Sequence, residues 1–208
     1  MLIDLENLVV KYNLGINGVL HIGAHFGQEF HVYNKLGIKN MMFFEPLSST
    51  FKILQANVDN RAVLVNTALG NMEGEIEMFT ETQNSGQSSS ILEPDHHLSQ
   101  YPQIQFTGKE KVKITRLDNF VSESDKYNFI NIDVQGYELE VFKGGEQFLK
   151  SIDYIMTEVN RASLYKGCAK IEELDKFLGD RGFKRVEINW AGDTWGDAFY
   201  IRQTQTNQ

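Results

Sequence analysis

The sequence has little cysteine, little proline and no surplus of positive charge. Cys168 is the one cysteine in 208 residues, so no intrachain disulfide and no thiolate metal cage can form. Cys168 itself reads as an inert thiol in a loop. Only three prolines occur, and there is no repeat or low-complexity block. The formal charge is −8 and the pI about 5.2. With no dense Lys/Arg cluster, the expectation is no nucleic-acid partner. No run is apolar for the ~18 residues that a membrane span needs. The start "MLIDLENLVV" carries acids where a signal peptide has its basic region. A reducing, cytoplasmic setting without a membrane partner is therefore expected.

What is present suits one domain over residues 1–208. Hydrophobic residues make up 41% and charged residues 23%, both ordinary for a globular protein. Residues 1–17 read as an N-terminal helical segment, and the polar tail "QTQTNQ" (203–208) reads as flexible. Between them strands and helices alternate. "GVLHI", "MMFFE", "AVLVNTAL", "YNFINID" and "IDYIMTEVN" read as strands. "GQEFHVYNKLG", "SSTFKILQANV", "GYELEVFKGGEQFL" and "IEELDKFLGDRGF" have helical spacing. Ser48 or Ser49 is a candidate cap for the second of these, and Gly144-Gly145 is the weak point of the third. "EGEIEMF" and "KVKITRLDNF" add an extended segment and a strand that leads into a helix. "KRVEIN" and "DAFYIRQ", joined by "WAGDTWG", suggest a final antiparallel pair. Residues 81–108 are polar and weakly periodic, and are expected to form a loop or lid.

Such alternation predicts an α/β fold: a mainly parallel sheet with helices on both faces and right-handed crossovers. Ligands of these sheets sit outside the carboxyl ends of the strands. The polar residues of interest fall at those ends. "VLHIGAHFGQEF" (19–30) is a strand, then Gly23-x-x-x-Gly27, then a helix. A loop of this kind lets a ligand approach the backbone, and a helix N-terminus offers free N–H groups. Glu45 ends the next strand, about 20 residues after Gly23, the spacing at which an acid accepts both hydroxyls of a ribose. His25 stands where a dinucleotide loop has its middle glycine, which a pyrophosphate needs. A nucleoside without a diphosphate fits better, and S-adenosylmethionine is such a ligand.

Taken in order, "VLHIGAHFGQEF", "FFEPLSSTFKILQANV", "VNTALGNMEGEIEMF", "GQSSSIL", "KITRLDNF" and "FINIDVQGYELEVFKGGEQFL" resemble the FkbM-type methyltransferases. The resemblance covers roughly residues 18–160. It implies a Rossmann-like class I methyltransferase fold with a seven-stranded, mainly parallel sheet and a C-terminal antiparallel strand. It also implies S-adenosyl-L-methionine as cofactor and a hydroxyl acceptor on a sugar of a glycan or on a small natural product. By the same resemblance His21, Gly23, Ala24, His25 and Gly27 would wrap the methionine part. Glu45, with Pro46 beside it, would hold the ribose, and Thr67 and Ala68 would flank the adenine. Ser89, within Ser88–Ser90, would close toward the cofactor. Asp133 would lie close to the transferable methyl. His21 replaces the family's common Asp, so another group must hold the methionine amine. Gln135 stands where Glu is commoner, and Glu138 follows in the same block.

Transfer to a hydroxyl needs a base. Asp133 and Glu158, at strand ends, are the catalytic candidates, and His96 and His97 are a second set. A divalent metal on Asp133 and Glu158 is an alternative way to activate the hydroxyl, while Glu158 could instead pair with Arg161. His21, His25 and His31 straddle a turn and lack the geometry of a metal site. Trp190 and Trp195 are candidates for stacking on a sugar. Two other readings remain open: a nicotinamide-dependent oxidoreductase, and a non-catalytic nucleoside-binding domain of a larger glycan-modifying protein.

Overall fold

The computed structural model describes residues 2–203; residues 204–208 of the expected tail lie outside the described residues. The main sheet has seven strands: β1 (Gly18–Ile22), β2 (Asn40–Phe44), β3 (Ala62–Val65), β7 (Phe129–Ile132), β8 (Tyr154–Asn160), β9 (Phe183–Ala191) and β10 (Trp195–Arg202). Their order is β3-β2-β1-β7-β8-β10-β9. β3, β2, β1, β7 and β8 are parallel, and β10 runs antiparallel between β8 and β9.

The central strands are apolar on both faces because both faces are covered. On one side Leu20, Ile22, Met42, Phe44, Ile130 and Ile132 pack under α5 (Glu138–Lys143), α6 (Ile171–Gly179) and the 3₁₀ turn Phe148–Ser151. On the other, Val19, Met41, Phe43, Phe129 and Met156 pack under α1 (Leu5–Tyr12), α2 (Phe30–Lys35) and α3 (Ser48–Asn57). Burial of each large side chain contributes on the order of 1.5–3 kcal/mol. Asp4 caps α1 by accepting from the N–H groups of Glu6 (2.8 Å) and Asn7 (3.3 Å).

Two local expectations change. "AVLVNTAL" is not one strand. β3 ends at Val65, and Ala68–Leu69 (β4) joins a second sheet, β4-β6-β5, with β5 (Gly74–Thr80) and β6 (Gly108–Thr115). The break is fixed by Asn66, whose amide donates to the carbonyls of Glu45 (2.8 Å) and Pro46 (3.0 Å). Neither Ser48 nor Ser49 caps α3. Leu47 occupies the cap position without a side-chain bond, and the N–H of Ser48 donates to Glu110 on β6 at 3.0 Å. The helix expected after β6 is present and is of the 3₁₀ kind (Leu117–Lys126). Gly144, after α5, does more than interrupt a helix: a Cβ there would lie 2.0 Å from the carbonyl oxygen of Gly70.

Candidate active site

The carboxyl ends of β1, β2, β7 and β8 open onto a cavity of about 420 Å³, within the range of ligand sites. His21, Gly23, Ala24, His25, Glu45, Pro46, Thr67, Ala68, Ser89, Asp133 and Glu158 all line it. Gly27 does not. A Cβ at Gly27 would meet Leu54 and Val58 of the α3 region at 2.8 Å, so this glycine serves packing.

The loop after β1 differs from the expected cradle. Gly23 lacks a Cβ because one would sit 1.9 Å from the carbonyl oxygen of Asp133, and its φ is +79°. The close approach is thus between two strand-end loops. The N–H groups of Gly23 and Ala24 both donate to the Phe44 carbonyl (3.0 and 2.9 Å). The N–H of His25 donates to Glu45 Oε2 at 3.0 Å. Helix α2 begins only at Phe30 and is six residues long. With those donors spent, the loop is no pyrophosphate cradle, which removes the basis of the dinucleotide reading.

Glu45 is buried. Its Oε1 accepts from the N–H of Leu47 at 2.9 Å, so each carboxylate oxygen keeps capacity for one further donor. Burial pushes its pKa up to about 7 against the opposing pull of those two N–H bonds. Next along this wall, the Thr67 hydroxyl is committed to the carbonyls of Lys113 (3.1 Å) and Ala68 (3.2 Å).

The histidines are held apart from one another. His21 is buried, and Nδ1 lies 3.1 Å from the hydroxyl of Tyr33, which also accepts from Asn131 at 2.7 Å. Burial pushes the His21 pKa down. His25, at φ +47°, bridges Ser85 O (2.8 Å) and the Gln28 amide (2.9 Å), an arrangement that suits the tautomer with hydrogen on Nε2. His31 bonds to the carbonyl of Gln28 and is not in the cavity wall. Among the described residues no group of three or more His, Cys, Asp or Glu could hold a metal ion.

Asp133 and Glu158 do converge, and Gln135 joins them. Its Nε2 donates to Asp133 Oδ1 (2.7 Å) and to Glu158 Oε2 (2.8 Å). The Tyr165 hydroxyl lies 2.8 Å from both Gln135 Oε1 and the Ser88 carbonyl, and its one proton is shared between them. Gln135 sits at φ +55°, a left-handed conformation uncommon outside glycine, and Ser90 Oγ donates to its carbonyl at 2.8 Å. Burial, then the charge of Asp133, pushes the pKa of Glu158 well above the carboxylate range. Glu158 has no part in an Arg161 pair; that guanidinium lies 3.6 Å over the Trp190 ring.

Glu138 is structural. It is buried outside the cavity wall and accepts from the N–H groups of Val134 and Gly136, both at 3.1 Å. The segment 81–108 packs over the cavity. Buried Glu81 accepts from the N–H groups of Asn84 (2.7 Å) and Ser88 (3.2 Å), which shapes the serine turn. The expected His96–His97 pair separates. His96 is exposed, whereas His97, on the short helix α4 (His96–Gln100), is buried in the wall among Tyr101, Phe106 and Tyr165. Trp195 also lines the cavity, its Nε1 donating to the Tyr101 hydroxyl at 2.9 Å, while Trp190 packs on the core.

Sequence reasoning missed Glu29, Tyr101 and Tyr165. Glu29 lines the cavity with Oε2 at 3.9 Å from His21 Nε2, beside the position where His21 replaces an acid. Its place just before α2 was the available signal; Tyr101 and Tyr165 lie in irregular loops and carried none.

The family described as Methyltransferase FkbM domain matches residues 21–185, a stretch that contains the carboxyl ends of β1, β2, β7 and β8. The chain belongs to the FkbM methyltransferase domain family. One relative is the 2-O-methyltransferase NoeI of Sinorhizobium fredii, 31% identical over 160 residues, which are 72% of this chain and 65% of the relative. Another is the hexuronic acid methyltransferase AglP of Haloferax volcanii, 27% identical over 126 residues, 58% of this chain and 47% of that one. The FkbM chain thus spans less than two thirds of either relative's length. Among solved structures it resembles the plantazolicin methyltransferase BpumL in complex with a triazolic desmethylPZN analog and SAH (TM-score 0.56, 11% identity, 96% of this chain and 81% of that one). It also resembles the magnesium protoporphyrin IX methyltransferase ChlM from Synechocystis with bound SAM (TM-score 0.52, 12% identity, 95% and 76%). These likenesses establish the class I methyltransferase fold. Among the described residues no helix is long and apolar enough to cross a membrane.

Proposed function

We propose that this chain transfers a methyl group from S-adenosylmethionine to a hydroxyl of a sugar. The observation that carries the reading is the Asp133–Gln135–Glu158 cluster, placed in one cavity with the buried carboxylate of Glu45. The site's donor set fits the cofactor. Glu45 keeps a free lone pair on each oxygen for the two ribose hydroxyls. The main-chain N–H groups of Gly23 to His25 are engaged, as suits a ligand without a diphosphate. Glu29 takes the methionine ammonium in place of the acid that His21 displaces. Gly23, Ala24 and His25 flank that end, with Pro46, Thr67, Ala68 and Ser89 along the nucleoside.

When bound, S-adenosylmethionine supplies an electrophilic methyl on a sulfonium. The protein's part is alignment and proton removal. Asp133 and Glu158 face the acceptor hydroxyl. Glu158, whose proton affinity is raised by burial and by Asp133, receives the proton as the new bond forms. Gln135 donates to both carboxylates and fixes their separation. Its amide lies between the two groups that a divalent ion would need, so the transfer is assigned to the side chains rather than to a metal. NoeI and AglP, by name a 2-O-methyltransferase and a hexuronic acid methyltransferase, support a sugar acceptor.

The test is calorimetry with S-adenosylhomocysteine, followed by labelled-methyl transfer to a panel of glycosides. Binding that Glu45→Ala abolishes, with transfer to a sugar hydroxyl, is the expected result. No binding, or binding unchanged in Glu45→Ala, refutes the cofactor assignment. Binding without transfer to any acceptor would favour a non-catalytic nucleoside-binding domain.

A further inference from the structure

The far half of the cavity, away from Glu45, is walled by Trp195, Tyr101, His97, Ile104 and Leu164, with Glu158 at its junction with the near half. Its charge is one-sided. Of the four acids in the cavity wall, Glu29 and Glu45 belong to the cofactor half, so those at this half are Asp133 and Glu158, joined by the Gln135 amide; among the described residues lining the cavity there is no Lys and no Arg. Cations on the adjoining loop are committed elsewhere. The Arg161 guanidinium stacks on Trp190, Lys166 pairs with Glu93 at 2.7 Å, and the ammonium of Lys170 bonds to Ser163 Oγ (2.9 Å) and Cys168 Sγ (3.3 Å).

We propose that this half selects a neutral polyhydroxyl acceptor and rejects acceptors that carry a carboxylate or phosphate. The inference rests on the sugar-methylating reading above and narrows it. A sugar's hydroxyls donate to carboxylates, and its apolar ring face packs on an aromatic ring, which Trp195 supplies. An acceptor carboxylate would instead meet Asp133 in a partly buried space whose described lining residues offer no Lys or Arg to pair with it, and that unpaired approach is a built-in rejection. The wall histidines do not reverse this. Burial pushes both His21 and His97 toward the neutral form. His97 Nδ1 is moreover a buried polar atom without a partner among the described residues. A neutral imidazole offers a hydrogen bond, not a cationic counterpart to an anion.

The chain therefore differs in expected acceptor from its relative AglP, named for hexuronic acid. The experiment uses the full chain with S-adenosylmethionine and two matched acceptor pairs. One pair is a methyl hexoside and the hexuronide that differs only in a carboxylate at C6. The other is a neutral phenol and its carboxylated counterpart. Cofactor binding is first established with S-adenosylhomocysteine, and kcat/KM is then read for each acceptor. The expected result is a preference of at least ~100-fold for the hexoside. Equal or faster transfer to the hexuronide overturns the inference and leaves the sugar reading standing. Transfer confined to the phenol pair refutes the sugar reading, and the preference within that pair then decides for or against a neutral acceptor. A cofactor-binding enzyme that methylates neither pair refutes both.

Discussion

The two halves of the cavity are built in different ways. The near half is made by strand ends that follow one another in the sheet: Gly23 to His25 after β1, Glu45 and Pro46 after β2, Thr67 and Ala68 after β3. Its parts are clamped by main-chain bonds, with Gly23 and Ala24 on the Phe44 carbonyl and His25 and Leu47 on Glu45. The far half draws Tyr101 from an irregular segment, Leu164 from the loop after β8 and Trp195 from the start of β10, beyond the stretch that matches the family. Its loops are tied by main-chain bonds such as His97 N–H to the Leu164 carbonyl (3.1 Å) and by side-chain bonds such as Trp195 to Tyr101. On the reading proposed above, the strand-end half would hold the nucleoside, which needs one fixed geometry, and the loop-built half the acceptor, which varies between enzymes.

The largest effect is expected where the halves meet. Asp133→Asn and Glu158→Gln should each lower kcat by ~10²–10⁴-fold, the usual contribution of a proton acceptor, while S-adenosylhomocysteine affinity stays within a few-fold. Gln135→Ala should lower kcat and move the pH profile of kcat, because the two carboxylates lose the donor they share. A Gln135→Ala profile that overlays the wild type would deny Gln135 its positioning role.

A smaller effect belongs to the near half alone. Glu45→Gln should weaken S-adenosylhomocysteine binding by about 10- to 100-fold, the cost of losing charge-assisted hydrogen bonds to the ribose. The carboxylate form accepts those hydroxyls, and burial sets its pKa at about 7 in the free protein. Cofactor affinity should therefore fall as pH drops below about 7, and Glu45→Gln should flatten that dependence. The far-half counterpart is Trp195→Ala, expected to raise acceptor KM by about 10-fold and to leave cofactor affinity unchanged. If Trp195→Ala weakened the cofactor as much as the acceptor, the division into two halves would fail.

This division also explains what the sequence made legible. Strand ends are local: an apolar run stopped by Gly23, by Glu45-Pro46 or by Asp133 marks its own position, so the sheet and the near wall could be read directly. Even there, the glycines were readable as turns but not as partners. Nothing in "GAHFG" says that Gly23 makes room for the Asp133 carbonyl or that Gly27 makes room for Leu54. The second sheet was hidden because "AVLVNTAL" is apolar across the Asn66 break. The far half was the least legible. His97, Tyr101 and Tyr165 meet only through tertiary contact, and "DHHLSQY" has no period that separates a buried histidine from an exposed one.

The smallest effect tests whether Glu138, which belongs to neither half, is a brace. Its carboxylate is buried and holds the Val134 and Gly136 N–H groups that shape the Gln135 turn. Burial, with the charge of Asp133 adding to it, raises its pKa to about 7 from an ordinary 4.5. Between those values the folded state binds more protons than the unfolded state, so this group's contribution to stability falls as pH rises from about 4.5 to about 7. A glutamine at this position keeps an oxygen for both N–H bonds and has no charge to bury. Glu138→Gln should therefore raise Tm relative to the wild type at pH 8 by about 2–4 °C, with the gap closing toward pH 5. Thermal denaturation at the two pH values reads this directly. A Glu138→Gln protein that is less stable at pH 8, or equally shifted at both pH values, would mean that the negative charge itself holds the turn, and Glu138 would then count among the groups that set the electrostatics of Asp133 and Glu158.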